Sequence, residues 1–267
     1  MALTHAQFER VAALEESQQR LQRLSQMSYG SLHALLAGDP AEAAVWVRCA
    51  AESGVAAAQL RLGRMLLDGS GMERDEHAAF GWFTRAADQG DAEAMNMVGR
   101  CHENGWGVPT DLARAAASYR ASAERGHDWG QYNFGNLLFD GRGISRDRPQ
   151  ALRCYLRAAS QGHGRAMNMV GRCLEEGWGC RRKAAEAAYW YRQSAQAGYF
   201  RGQFNHAVLL AENGLPEEAA DWFRQAAAGG GPEMRRTIAM ALAGATHHAL
   251  LQVRAQVLEL SEASPAR

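Results

Sequence analysis

Asn96 with Arg100, and Asn168 with Arg172, stand four residues apart in two identical octets, AMNMVGRC, at 94–101 and 166–173. On a helix that spacing places the amide and the guanidinium on one face. An amide both donates and accepts, so it can hold the backbone of an extended peptide, and a guanidinium forks onto a carboxylate. The chemistry these residues suggest is binding. A structural reading carries similar weight: Glu103 and Glu175 follow the two arginines by three residues, where each can pair with its arginine inside one helix.

Residues suited to catalysis or metals do not assemble in the same way. Cys49, Cys101, Cys154, Cys173 and Cys180 are scattered and include no CxxC pair, which argues against a zinc ribbon or a redox motif. His247 and His248 are neighbours, and on a helix they point about 100° apart, poor geometry for a shared metal. There is no GxSxG elbow, no HExxH and no phosphate-binding loop. We therefore expect neither enzyme activity nor a cofactor or metal. The 29 basic and 29 acidic residues cancel, which removes the electrostatic pull toward nucleic acid. No run of 18 apolar residues occurs, so membrane insertion is not expected. Glu9 and Arg10 interrupt the stretch that an export signal would need, and with the scattered cysteines this points to the cytoplasm. All basic residues but Lys183 are arginine, a bias expected of a GC-rich bacterial genome.

What must position the Asn/Arg pairs is written in glycine. Gly54, Gly90, Gly126, Gly162 and Gly198 recur every 36 residues. Nine residues on come Gly63, Gly99, Gly135 and Gly171, and then the GxG pairs Gly69/Gly71, Gly105/Gly107, Gly141/Gly143 and Gly177/Gly179. Such a period marks a repeat protein. A glycine inside a helix costs roughly 1 kcal/mol against alanine, so Gly63 and its counterparts predict close approach of a neighbouring helix, helped by the small Ala58, Ala94, Gly130 and Ala166. Each GxG ends a helix in left-handed backbone. Asp75, Asp111 and Asp147 are placed to cap the next helix, which carries Trp82 and Phe83, Tyr119, Tyr155, or Trp190 and Tyr191, with an alanine one turn later. The fifth unit spans 32 residues from Gly198 to Gly230 and has lost its GxG turn. Residues 28–36 and 39–53 read as a shortened pair ahead of the repeats, and 5–27 and 232–262 as helices outside them.

The pattern LG…G.G…D…A..W/Y…AA..G resembles the Sel1-like repeat, a relative of the tetratricopeptide repeat. The best copies are LRLGRMLLDGSGMERDEHAAFGWFTRAADQG and YNFGNLLFDGRGISRDRPQALRCYLRAASQG. The resemblance covers about residues 54–230 and implies an all-α, right-handed α-solenoid of stacked antiparallel helix pairs, about five and a half units long. We expect helical caps at 1–38 and 231–267 around repeats at 39–230. The family's members are mostly adaptors and scaffolds, so the implied function is a non-enzymatic one: binding a protein or peptide along a concave wall lined by the first helices. The groove positions on either side of the Leu-Gly pair then hold Asn96, Arg100, Tyr132, Asn136, Asn168, Arg172 and Phe204, the aromatic rings anchoring apolar side chains between polar steps. A monomer or weak oligomer is expected. The alternatives are a hydrolase acting on a cell-wall glycan or peptide through Glu103, Glu175 and His102, and a self-assembling subunit. Trp106 and Trp178, in the two GWG turns, read either as partner anchors or as covers for the adjoining unit.

Overall fold

The 36-residue spacing is realised as pairs of thirteen-residue helices. The structure, a computed structural model, describes residues 15–16, 18–24 and 26–262. After a helical stretch at 18–24 come α1 (Tyr29–Ala37), α2 (Pro40–Glu52), α3 (Ala56–Asp68), α4 (Glu76–Asp88), α5 (Ala92–Asn104) and α6 (Leu112–Glu124). Then follow α7 (Asp128–Asp140), α8 (Arg148–Ser160), α9 (Gly164–Glu176), α10 (Ala184–Gln196), α11 (Phe200–Glu212), α12 (Pro216–Ala241) and α13 (His248–Glu262). No strand occurs among the described residues. The helices form two compact halves, one ending at Arg125 and the other beginning at Gly126, and within each half consecutive helices pack as antiparallel pairs.

The caps follow the sequence pattern. The Asp75 carboxylate accepts from the Ala78 N–H at 2.9 Å, Asp111 from Ala113 and Arg114, and Asp147 from Gln150. Lys183 holds the fourth copy of that position and makes no side-chain cap. First helices end on the left-handed glycines Gly69, Gly105, Gly141 and Gly177. The second glycine of a turn has another task. A Cβ on Gly107 would lie 2.1 Å from the carbonyl oxygen of Glu76, and one on Gly179 would lie 2.5 Å from that of Arg148. The turn therefore rests directly on the backbone that opens the preceding second helix.

The helix-interior glycines meet a ring. A Cβ on Gly63 would come within 2.5 Å of Phe83, on Gly99 within 2.6 Å of Tyr119, on Gly135 within 2.8 Å of Tyr155 and on Gly171 within 2.7 Å of Tyr191. These rings are the largest fully buried side chains, together with Phe223. Each pair is thus keyed by one aromatic ring lying on the missing side chain of its partner helix.

The ends lie outside the regular repeat. The capping helix expected at 5–27 falls partly on residues outside those described. In the stretch 232–262, expected to hold helices outside the repeat, α12 runs on to Ala241 across a kink at Gly231 (φ 65°, ψ −164°) just before Pro232, and α13 starts at His248. The kink follows from proline, which has no N–H to continue the ladder.

Candidate functional site

First helices of successive units touch along one face. In the first half the Arg64 guanidinium, on α3, forms an ion pair with Glu93 on α5. In the second half the Asn205 amide, on α11, donates to the Asn168 side-chain oxygen, on α9, at 2.8 Å.

The expected binding residues divide by what they already hold. Asn96 and Asn168 are buried, at 5 % and 4 % exposure, and the Asn168 amide already bonds Asn205 of the neighbouring first helix. Asn136 accepts from the Tyr155 hydroxyl at 2.9 Å. Tyr132 stacks on His163, ring centroids 4.9 Å apart, and Phe204 meets Phe223 edge-on at 5.8 Å. Arg100 and Arg172 are exposed, and their guanidinium carbons lie 4.8 and 5.1 Å over the rings of Trp106 and Trp178. Trp106 packs against the core of the first half, and Trp178 lies edge-on to Phe139 at 5.1 Å. Both tryptophans therefore cover neighbouring side chains and have an arginine guanidinium against the ring.

Glu103 and Glu175 have a structural use as well. Glu103 accepts from the buried Tyr119 hydroxyl at 2.7 Å, and Glu175 from the Tyr191 hydroxyl at 2.6 Å. Burial first, and then these carboxylates, push both phenols well above the usual tyrosine range. His102 lies against Phe80, ring centroids 5.3 Å apart, and burial lowers its pKa. These contacts tie the three residues of the hydrolase alternative into helix packing.

Only part of the expected set converges. Asn168, Arg172 and Phe204 line one cavity of about 320 Å³ in the second half. Its other walls are Phe200, Arg201 and Asn205 from α11, and Gly230, Glu233, Met234 and Thr237 from α12. Gly230 keeps it open: a Cβ there would lie 2.7 Å from the Phe200 ring and 2.3 Å from Met234. Sequence reasoning missed Arg201 and Asn205. A signal was present, since Arg201 lies 29 residues after Arg172, as Glu93 does after Arg64.

The comparisons with known proteins agree with this architecture. The family model described as Sel1 repeat matches residues 23–55, 56–91, 92–127, 130–163, 164–199 and 201–231. The chain belongs to the Sel1 repeat family. Sel1 repeat proteins typically mediate protein–protein interaction, and the repeat is generally a non-catalytic module. A Sel1 repeat protein from Oxalobacter formigenes is similar in structure, with a TM-score of 0.77 and 25% identity over 87% of this chain and 98% of that one. The antigen c5321, a protective antigen of uropathogenic Escherichia coli strains with an SLR fold, gives a TM-score of 0.70 at 27% identity over 88% of this chain. The Sel1 chain described here spans about half, 52%, of that antigen. An immunity protein from Pseudomonas aeruginosa shares the fold at a TM-score of 0.51, with 16% identity over 78% of this chain and 81% of its own. No curated protein sequence matches. Among the described residues, no helix is long and apolar enough to cross a membrane.

Proposed function

We propose that the protein is an adaptor that holds a peptide or protein partner against the face of its first helices, with Asn168, Arg172 and Phe204 at the centre of the contact. One observation carries this reading: these three residues, each at a repeat position, line a single cavity together. Its apolar walls, Phe200, Phe204 and Met234, can take an aliphatic or aromatic side chain, while Arg172 and the amides of Asn168 and Asn205 supply polar contacts in its lining. Tyr132 and Asn136 hold the same repeat positions within the second half and serve as secondary contacts.

Capture from a cell lysate by the full chain, compared with an Arg172→Ala/Phe204→Ala variant and read by mass spectrometry, tests the assignment. The partner should be lost from the variant by about tenfold or more, the scale of one or two central interface side chains, with helicity unchanged by circular dichroism. Equal recovery by both proteins would contradict it.

A further inference from the structure

The repeat supplies its own control for the cavity. Arg64 is the ninth residue of α3, and Glu93, its ion-pair partner, is the second residue of α5. In the second half the same two places, ninth in α9 and second in α11, are held by Arg172 and Arg201. Where the first half closes a cation with its own carboxylate, the second half presents two cations to one cavity.

The surroundings keep that charge available. The Arg172 guanidinium lies on the Trp178 ring and the Arg201 guanidinium 5.8 Å over Phe200, contacts that orient a cation without neutralising it. Tyr199, the residue before α11, lies within this concentration of charge. Burial pushes its phenol up, and Arg201, Arg165 and Arg172 all act in the opposite direction. The one acidic side chain lining the cavity is Glu233, leaving a net positive charge among the lining residues. Around the two arginines stand the amides of Asn168 and Asn205 and the apolar Phe200, Phe204 and Met234.

We infer that the cavity takes an acidic side chain of a peptide partner, with its carboxylate at Arg172 and Arg201 in the role that Glu93 plays toward Arg64, and with a neighbouring apolar residue against Phe200, Phe204 and Met234. This deepens the peptide-binding reading above and depends on it. A guanidinium pair suits a carboxylate because each fork can present two parallel N–H donors. Glu233 is a competing carboxylate inside the same cavity, so it weakens the acidic ligand and limits affinity.

The test uses the full chain, fluorophore-labelled, against a resin-bound library of random hexapeptides. Captured sequences should be enriched in Asp and Glu over Asn and Gln by about fivefold, beside Leu, Met or Phe, the scale of one charge-assisted contact at a partly exposed site. Arg172→Gln and Arg201→Gln should each return the acidic preference toward parity with helicity intact. Glu233→Gln should raise it, and added salt should lower it. Absence of acidic enrichment, or its persistence in both arginine variants, overturns the inference. Captured sequences that are apolar without acidic preference and are lost on Phe204→Ala would leave the peptide site standing and remove only the carboxylate. No capture of any sequence would remove both.

Discussion

A single missing side chain keys each of the four helix pairs from α3/α4 to α9/α10. Tyr119 is 1 % exposed, its hydroxyl is bonded to Glu103, and its ring fills the space a Cβ on Gly99 would need. Gly99→Ala sets two effects against each other: helix propensity favours alanine by about 1 kcal/mol, while overpacking a fixed ring costs about 1–3 kcal/mol. The ring cannot retreat, so overpacking should win, and urea denaturation should show a net loss of stability. Sequence reasoning located the glycine and expected close approach; that the filler is the ring follows only from packing in three dimensions. His163 gives a second residue-scale prediction. It is buried, its Nδ1 accepts the Ala166 N–H at 3.1 Å as a helix cap, and its Nε2 has no hydrogen-bond partner. The cap requires the neutral ring. Burial lowers the folded pKa of His163, against the pull of Asp128 and alongside Arg165 and His127. The sign follows: with the unfolded histidine at about 6.5, the cap's contribution is complete above that pH and lost as pH falls toward the lower folded value. The melting temperature should drop between pH 7 and 5, and less so in His163→Asn, which caps without titrating. An equal drop in both proteins would remove the histidine from the account.

Among the elements, the second helices show what a missing cap means. Asp75, Asp111 and Asp147 cap α4, α6 and α8 from similar backbone, near φ −144°, −147° and −142°. Lys183 precedes α10 at φ −146° and ψ 81°, nearly the conformation of Asp147, but without a cap. The site is preformed. Lys183→Asp should therefore stabilise the chain by about 0.5–1 kcal/mol, after loss of the exposed Lys183–Glu186 pair, which contributes little at the surface; unchanged thermal unfolding would contradict this. Helix positions and turns were legible because glycine and aspartate act locally, through φ and through N–H groups a few residues away. The kink at Gly231 has a local cause in Pro232, but the stop before α13 was not legible, because it depends on what α12 and α13 pack against.

For the whole molecule, the identical octets show a 72-residue period, and the structure gives it physical content. Buried Gln59 and Gln131 accept from Gln89 and Gln161 at 2.7 and 2.9 Å, whereas in the alternate units the Ser122 and Ser194 hydroxyls donate to the carbonyls of Ala92 and Gly164 at 2.6 and 2.7 Å. Each half contains one bond of each kind. Two polar solutions to one packing problem therefore alternate along the chain, and the Asn/Arg pairs fall in the serine-type units. The candidate site was only half legible for a related reason. Arg172 and Phe204 stand at repeat positions, but Glu233, Met234 and Thr237 enter after the fifth unit has lost four residues, beyond the register that spacing can follow. The central claim is that partners are held on the first-helix face of the second half. Its most direct test places a photo-crosslinking phenylalanine at Thr237, in the cavity wall, or at Tyr189, a residue of second helix α10 that is 56 % exposed. Irradiation in a lysate should join a partner to the Thr237 position and not to Tyr189; crosslinking from Tyr189 with none from Thr237 would contradict it.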